Sequence, residues 1–499
     1  MRKRTMATIL VLSLLLTLTA PALATKEELT AETLGYTPAN ELLSEDGDML
    51  VTIDPAIKAA LDRDYAYLQN ENGSYSVKSL GDVNNLSLYA SAVETADEFI
   101  TEPLEIVDLS VLQFCTQLEY VFIDSRSISG LAALSNAKKV RSISLTSAQL
   151  NDLFNISSIP KLDSLRFTNC QIADYSDLSK CKALTNLTIS DNELRDLSFV
   201  PQIKKLSMLD ISGVPNADFS TLTDLKKLYG LIINMENAAS GSLEWEIIGR
   251  CEGYVNLFNL TSLTKKDVES HLSTPYQLDF TYNEPPEAPI DLFAIQYAKS
   301  LDMLTFYKAN IGDLSFIANC KKLNSLAFYG CVLQKSGHLW NAPKLVDLFI
   351  HNCKVNDPGL FFAGIARAKK LTSLIIDNAN LGGTSALESI GTAAKVKFLS
   401  LVNCQLNNDL DFLSGNAYKS LSLGLNNITD FSALSNANQI IKLSLMDNPI
   451  SDFAPLAGIS GLKTLHLGKI ITVPLPDLPK TNIVQTSDLW DSLYLKWIN

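Results

Sequence analysis

Four histidines, eight cysteines and a run of aromatic residues hold the reactive chemistry available to this chain. His351 and Asp377 are the residue types of a general-base dyad, which would need a nucleophile within hydrogen-bond reach. The nearest candidates are Cys353, which the spacing turns inward, and Ser373, which falls on another row. His271, His338 and His466 share no motif with His351. The chain therefore reads as a non-enzyme. No CxxC or HxxxH spacing occurs, so neither a metal site nor a cofactor is expected. What remains is an aromatic group. Tyr307, Tyr329 and His351 recur at a constant interval, Phe349, Ile375 and Phe398 fall beside them, Tyr282 adjoins one end and Asp377 the other. Aromatics exposed together are the residues most enriched at binding hot spots, although cross-strand packing alone also gathers them on sheet faces. Tyr282, Tyr307, Tyr329, Phe349, His351, Asp377 and Phe398 are the candidate ligand-binding residues.

The constant interval belongs to a repeat. Ala96, Leu118, Val140, Leu162, Leu184, Leu206 and Leu228 form a 22-residue ladder. A second ladder runs Leu301, Leu323, Leu345, Leu371, Val396, Tyr418, Ile440 and Leu462, with two longer steps. Apolar residues recur three and five positions after each start, as in Leu184, Leu187 and Ile189. This is the LxxLxLxx(N/C)xL signature of leucine-rich repeats. The expected fold is an α/β repeat solenoid: a leucine-rich-repeat horseshoe with a parallel concave β-sheet, 3₁₀ and short helices on the convex side, and a small helical N-terminal cap. Strand residues alternate in and out. The starts and the third and fifth positions after them face the core, while the second, fourth, sixth and seventh face the concave side or its rim.

The same register accounts for the cysteines. Cys170, Cys331, Cys353 and Cys404 fall eight positions after a start, where Asn192, Asn283, Asn426 and Asn448 stand in other repeats. That slot points inward at the coil's turn, where Asn bonds backbone groups and Cys is a small buried substitute. Cys115, Cys181 and Cys320 share a second slot. Distant repeats do not touch, so these are read as thiols and not as a disulfide framework, with Cys331 and Cys353, neighbours in one slot, the pair that could in principle bridge. Asp108, Asp174, Asp196, Asp218, Asp313 and Asp430 each stand two residues before a Ser. There they cap a short turn of helix; they lack the clustered oxygens of a calcium site.

The ends carry their own signals. Arg2, Lys3 and Arg4, the apolar stretch from Ile9 to Ala20 and Ala22-Leu23-Ala24 form a secretory signal, 1–24, with the mature chain starting at Thr25. Its removal moves the formal charge from −13 to −16 through the loss of Arg2, Lys3 and Arg4. So acidic a chain excludes a nucleic-acid partner, whose phosphates need a basic patch, and no membrane span is expected in the mature chain. A flexible acidic leader follows at 25–49. A helical cap spans 50–95, opening at Asp54-Pro55 with a second short helix over Val77–Asn84. The repeats, about seventeen by the period, span 96–472. They are irregular at 235–300, where either two degenerate strands continue the coils or an insertion interrupts them. Asp357–Lys370 and Ser385–Lys395 are expected as helices, and 473–499 as a C-terminal cap or tail. Leu478-Pro-Lys-Thr-Asn482 resembles a sortase anchoring signal but ends in Asn where Gly is required.

The blocks Leu184–Leu206 and Ile440–Leu462, with the helical segment Ile53–Tyr65 and the run Ser74–Leu88, resemble the 22-residue repeats and helical cap of bacterial internalin-like proteins. The resemblance covers roughly Ile53 to Val473. It implies an extracellular or surface-associated protein whose concave sheet binds a protein, often on a host cell, and it supplies no catalytic site. The reading from residues is a secreted or surface-exposed binding protein whose partner is a protein or a glycan on a host or bacterial surface. The alternative is a structural spacer of the cell envelope or extracellular matrix.

Overall fold

The computed structural model describes residues 42–43, 49–50, 53–94, 99–335, 342–414, 418–468 and 473–485, apart from single or paired positions at 152, 154, 191, 193, 215–216, 226–227, 367, 382–383 and 394. The expected signal segment, most of the leader, Ala96, His338 and the end of the tail lie outside these residues. The chain divides into two compact units, Met1–Lys226 and Lys227–Asn499.

In the first unit, Pro55–Asp64 forms helix α1. Asp54 caps it by accepting from the Ala56 amide at 2.8 Å, and Pro55 occupies the first turn, where a missing N–H costs nothing. The other Asp54 oxygen accepts from the Asp108 amide at 2.9 Å, which ties the helix to the coil beside it. The second expected helix is a single turn, α2 (Val77–Leu80), closed by a Ser76/Ser79 capping box. The chain then enters strand β1 (Asn85–Leu88), which pairs in parallel with β2 (Tyr120–Ser129), Asn85 against Tyr120. The first sheet strand thus precedes Ala96, where the sequence ladder starts. The longer step is taken up by an antiparallel hairpin, Ser91–Glu94 with Phe99–Glu102, and fully buried Val83 holds the place two residues before β1 that Leu118 holds before β2. Parallel pairing continues through β3 (Ser142–Thr146), β4 (Ser164–Thr168), β5 (Asn186–Ser190) and β6 (Met208–Ile211).

The second unit is a longer parallel succession. It runs from β7 (Leu228–Asn234) through β8 (Cys251–Phe258), β9 (Gln277–Thr281), β10 (Met303–Tyr307), β11 (Ser325–Tyr329), β12 (Asp347–His351) and β13 (Ser373–Asp377). It ends with β14 (Phe398–Val402), β15 (Ser420–Ser422), β16 (Lys442–Ser444), β17 (Thr464–Leu467) and β18 (Asn482–Gln485). Within 235–300 the strands pair in register, Val255 with Leu278 and Leu278 with Leu304. The irregularity consists of a register shift between Leu228 and Gly230 and of helices α3 (Leu243–Ile248) and α4 (Lys265–His271) in the connections. The two longer repeat steps hold α5 (Pro358–Ala366) and α6 (Thr384–Gly391), each shorter than the sequence pattern suggests.

Alternation along each strand sets the core. Leu187 and Ile189 are buried in the first unit, Leu443 and Leu445 in the second, each such side chain contributing about 1.5–3 kcal/mol of burial. Phe280, Phe306 and Phe328 stack inside the second unit with centroids 5.4 and 5.5 Å apart. The turns behave as their residue types dictate: Asp174, Asp196, Asp218, Asp313 and Asp430 accept from the amides of Ser176, Ser198, Ser220, Ser315 and Ser432 at 2.7–2.9 Å.

The inward slot is a hydrogen-bonded ladder. Asn426 accepts from the Cys404 amide at 2.7 Å and donates to the Leu401 carbonyl. Cys353 Sγ accepts from the Cys331 amide at 3.3 Å and donates to the His351 carbonyl at 3.2 Å. All eight cysteines are buried free thiols. Asn283 departs from the pattern. It is exposed, and Tyr282 takes the inward place instead.

Candidate functional site

The sheet face away from the core, the concave face of the sequence reading, carries the candidate residues on β10–β14. Parallel pairing in register brings Tyr307 beside Tyr329, Tyr329 beside His351, and His351 beside Asp377. The tyrosine rings stack with centroids 5.0 Å apart and 12° between planes. The His351 ring is 5.9 Å from Tyr329, tilted by 48°. Its Nδ1 lies 2.7 Å from Asp377 Oδ2. The row is half-buried through Tyr307, Tyr329 and His351, and Asp377 closes it at 7 % exposure.

Phe349, Ile375 and Phe398 lie beside this row and pack on one another; Ile375 and Phe398 are each only 5 % exposed, and Phe349 is half-buried. Phe349 is thus the member of this group that adds to the accessible aromatic surface. Tyr282 does not join the row. The equivalent residues of the flanking coils, Asn259 and Lys308, have φ of 56° and 52°, which turns them outward, whereas Tyr282 is absent from the positive-φ residues. Its side chain enters the core at 3 % exposure, and its hydroxyl donates to the Leu260 carbonyl.

Two neighbouring features escaped the sequence reading. Asp279 on β9 is 2 % exposed and accepts hydrogen bonds from Tyr254, Thr305 and Gln277. Burial pushes its carboxyl up to about 6, with those three bonds opposing the shift. The alternation of Gln277, Asp279 and Thr281 put it on this face, but two of its three partners, Tyr254 and Thr305, come from neighbouring strands far off in sequence. The second feature is an amide ladder along the rim: Asn378 donates to Asn352 at 3.0 Å and Asn403 to Asn378 at 2.9 Å. All three have φ of 50°, a conformation Asn tolerates better than most residues. Asn in one slot of three successive repeats was the signal available.

The His351–Asp377 pair has the form of an oriented base. Cys353, two residues on, lies on the core side with its Sγ bonded to the His351 carbonyl, so it does not share the imidazole's face. Among the described residues no group of His, Cys, Asp and Glu side chains is arranged to hold a metal ion, and no helix is long and apolar enough to cross a membrane.

Parallel strands in register, an inward Asn/Cys ladder and short helical returns define a leucine-rich-repeat fold. No family model and no curated protein sequence matches the chain. Solved structures do. It is similar to an internalin, InlF, of Listeria monocytogenes (18% identity over 83% of this chain and 94% of that one, TM-score 0.33). It is also similar to the functional domain of InlJ from Listeria monocytogenes, which includes a cysteine ladder (15% identity, 84% and 81% covered, TM-score 0.34). A third is a TLR13–ssRNA13 complex (18% identity, 76% of this chain and 60% of that one, TM-score 0.53). At these identities the likeness is one of fold.

Proposed function

We propose that this chain is an exported or surface-associated binding protein whose second unit recognises a partner macromolecule, a protein rather than a glycan, through the face built by Tyr307, Tyr329, Phe349 and His351. The observation that carries the reading is the stacked tyrosine pair continued by His351 and Asp377. Rings already fixed against each other lose little freedom on binding, which favours affinity. Tyrosine and histidine present an apolar body with a polar tip, the character of an interface anchor. Stacking at 12° turns the facing sides of the two rings toward each other. A sugar that stacks on successive ring faces finds only the Tyr307 face toward β9 open, and so gains less from this arrangement than a protein surface does.

The test is capture from host and bacterial surface extracts by the full chain, beside a Tyr307→Ala/Tyr329→Ala variant whose circular dichroism and melting match the parent. A partner lost by the variant supports the reading. A partner held equally by both overturns the site, and no partner in either case favours a spacer.

A further inference from the structure

The charge on this face is one-sided. The outward positions of β9–β13 carry Asp279, Asp347 and Asp377 and neither lysine nor arginine. On the strands themselves the next basic residue is Lys442 on β16, and the rim carries Lys308, whose ammonium donates to the Asn283 carbonyl at 3.2 Å. Asp347 is half-buried, in register with Ser325 on one side and Ser373 on the other. The stacked tyrosines lie on the same face, between Asp279 on β9 and Asp377 on β13. Tyr307's neighbour toward β9 is Thr281, a side chain too small to cover a ring.

An independent observation points to a ligand. Ser373 is 1 % exposed, faces the same side as Asp377, and its hydroxyl has no hydrogen-bond partner among the described residues. Ser400 on β14, 0 % exposed, is in the same condition. A buried hydroxyl without a partner is costly, and the carbonyl groups of a polypeptide laid across the strands are acceptors that would relieve it.

We infer that the face takes a basic polypeptide segment, its arginine or lysine side chains lying against the tyrosine row with their charge met by Asp347 and Asp377. This rests on the binding reading above and names the partner's chemistry. A cation over an aromatic ring gains from the ring's quadrupole, and a guanidinium adds paired hydrogen bonds to carboxylates. A face whose strand positions are acidic, without lysine or arginine, repels nucleic acid and anionic lipid, whose recognition requires the opposite charge.

The experiment is fluorescence anisotropy on the full chain with a labelled nonapeptide of alternating arginine and serine, a glutamate–serine counterpart, and spermine as competitor. Variants are Asp347→Asn/Asp377→Asn and, as a charge-matched control in the exposed loop before β10, Glu284→Gln/Glu287→Gln. The expected result is binding of the arginine peptide alone, weakened about tenfold or more by the aspartate pair and less than about twofold by the control, with equimolar spermine leaving the peptide bound. Equal weakening by both pairs, binding of the glutamate peptide, no binding of the arginine peptide, or displacement by spermine would each overturn the assignment. The Tyr307→Ala/Tyr329→Ala capture separates the two failures. A captured partner lost by that variant but not displaced by the arginine peptide keeps the site and removes the basic segment.

Discussion

The imidazole of His351 and the carboxylate of Asp377 meet at 2.7 Å across two paired strands, and the same pairing sets Tyr329 and Tyr307 in line with them. Asp377, 7 % exposed, fixes the ring's orientation from one side while the aromatic row supports it from the other. The pair is therefore a rigid end to a stacked row. Replacing Asp377 by Asn is expected to keep the fold and loosen the imidazole, seen as broadening of the His351 ring resonances. An unchanged His351 signal in that variant would show that the carboxylate does not position the ring.

Asp279 makes stability depend on pH in a definite direction. Folding raises its carboxyl from an ordinary 3.8 to about 6, chiefly through burial. Between those values the folded chain binds more protons than the unfolded one, so stability falls as pH rises through the window and the whole loss is present above about pH 6. The contribution is at most ~3 kcal/mol. Urea unfolding of the parent and Asp279→Asn at pH 4 and pH 7 isolates it. The parent is expected to lose more stability than the variant on going to pH 7. Parallel behaviour of the two would refute the burial of this carboxyl.

The inward ladder predicts an order of costs. Asn426, 0 % exposed, satisfies the Cys404 amide and donates to the carbonyls of Leu401, Leu423 and Gly424. Asn426→Ala strands several of these groups and is expected to cost at least about 2 kcal/mol. Asn426→Cys should cost less, because Cys353 accepts an amide and donates to a carbonyl from the equivalent slot. Denaturation midpoints that rank Ala above Cys would contradict the ladder.

In the first unit, Leu187 is 1 % exposed on β5. Its truncation to Ala is expected to cost about 2–5 kcal/mol, measured by thermal or chemical unfolding. A change near zero would mean that the strand faces the other way.

Thiol accessibility offers an independent check. Burial pushes Cys115 up to about 12 and Cys170 up to about 11, and all eight cysteines are buried. Ellman titration at pH 8 should leave the native chain essentially unreacted and recover eight thiols in guanidinium. Rapid reaction of the native chain would show that its coils open far more readily than this packing implies.

Much of this was legible because a fixed period ties sequence position to orientation. The inward leucines, the Asn/Cys slot and the Asp-x-Ser caps follow from register alone, and so does the alignment of Tyr307, Tyr329, His351 and Asp377. What register could not reveal is where a single backbone angle redirects a side chain. Tyr282 turned inward where its counterparts turn out, and displaced Asn283 from the slot. Nor could it reveal which side chains on one face cover one another. Phe398 and Ile375 bury themselves together, and Asp279 is enclosed by Tyr254 and Thr305 from strands remote in sequence. The first strand escaped because a hairpin stretches the step from Asn85 to Tyr120 beyond the repeat.

The most direct test of the binding face is site-specific photo-crosslinking. Benzoylphenylalanine is placed at Tyr329 in the second unit and, separately, at Thr188 on the outward face of β5, and each chain is exposed to the same surface extract. Covalent capture of a discrete partner from position 329 and not from 188 is the result this account predicts. Capture from 188 with none from 329 would contradict it.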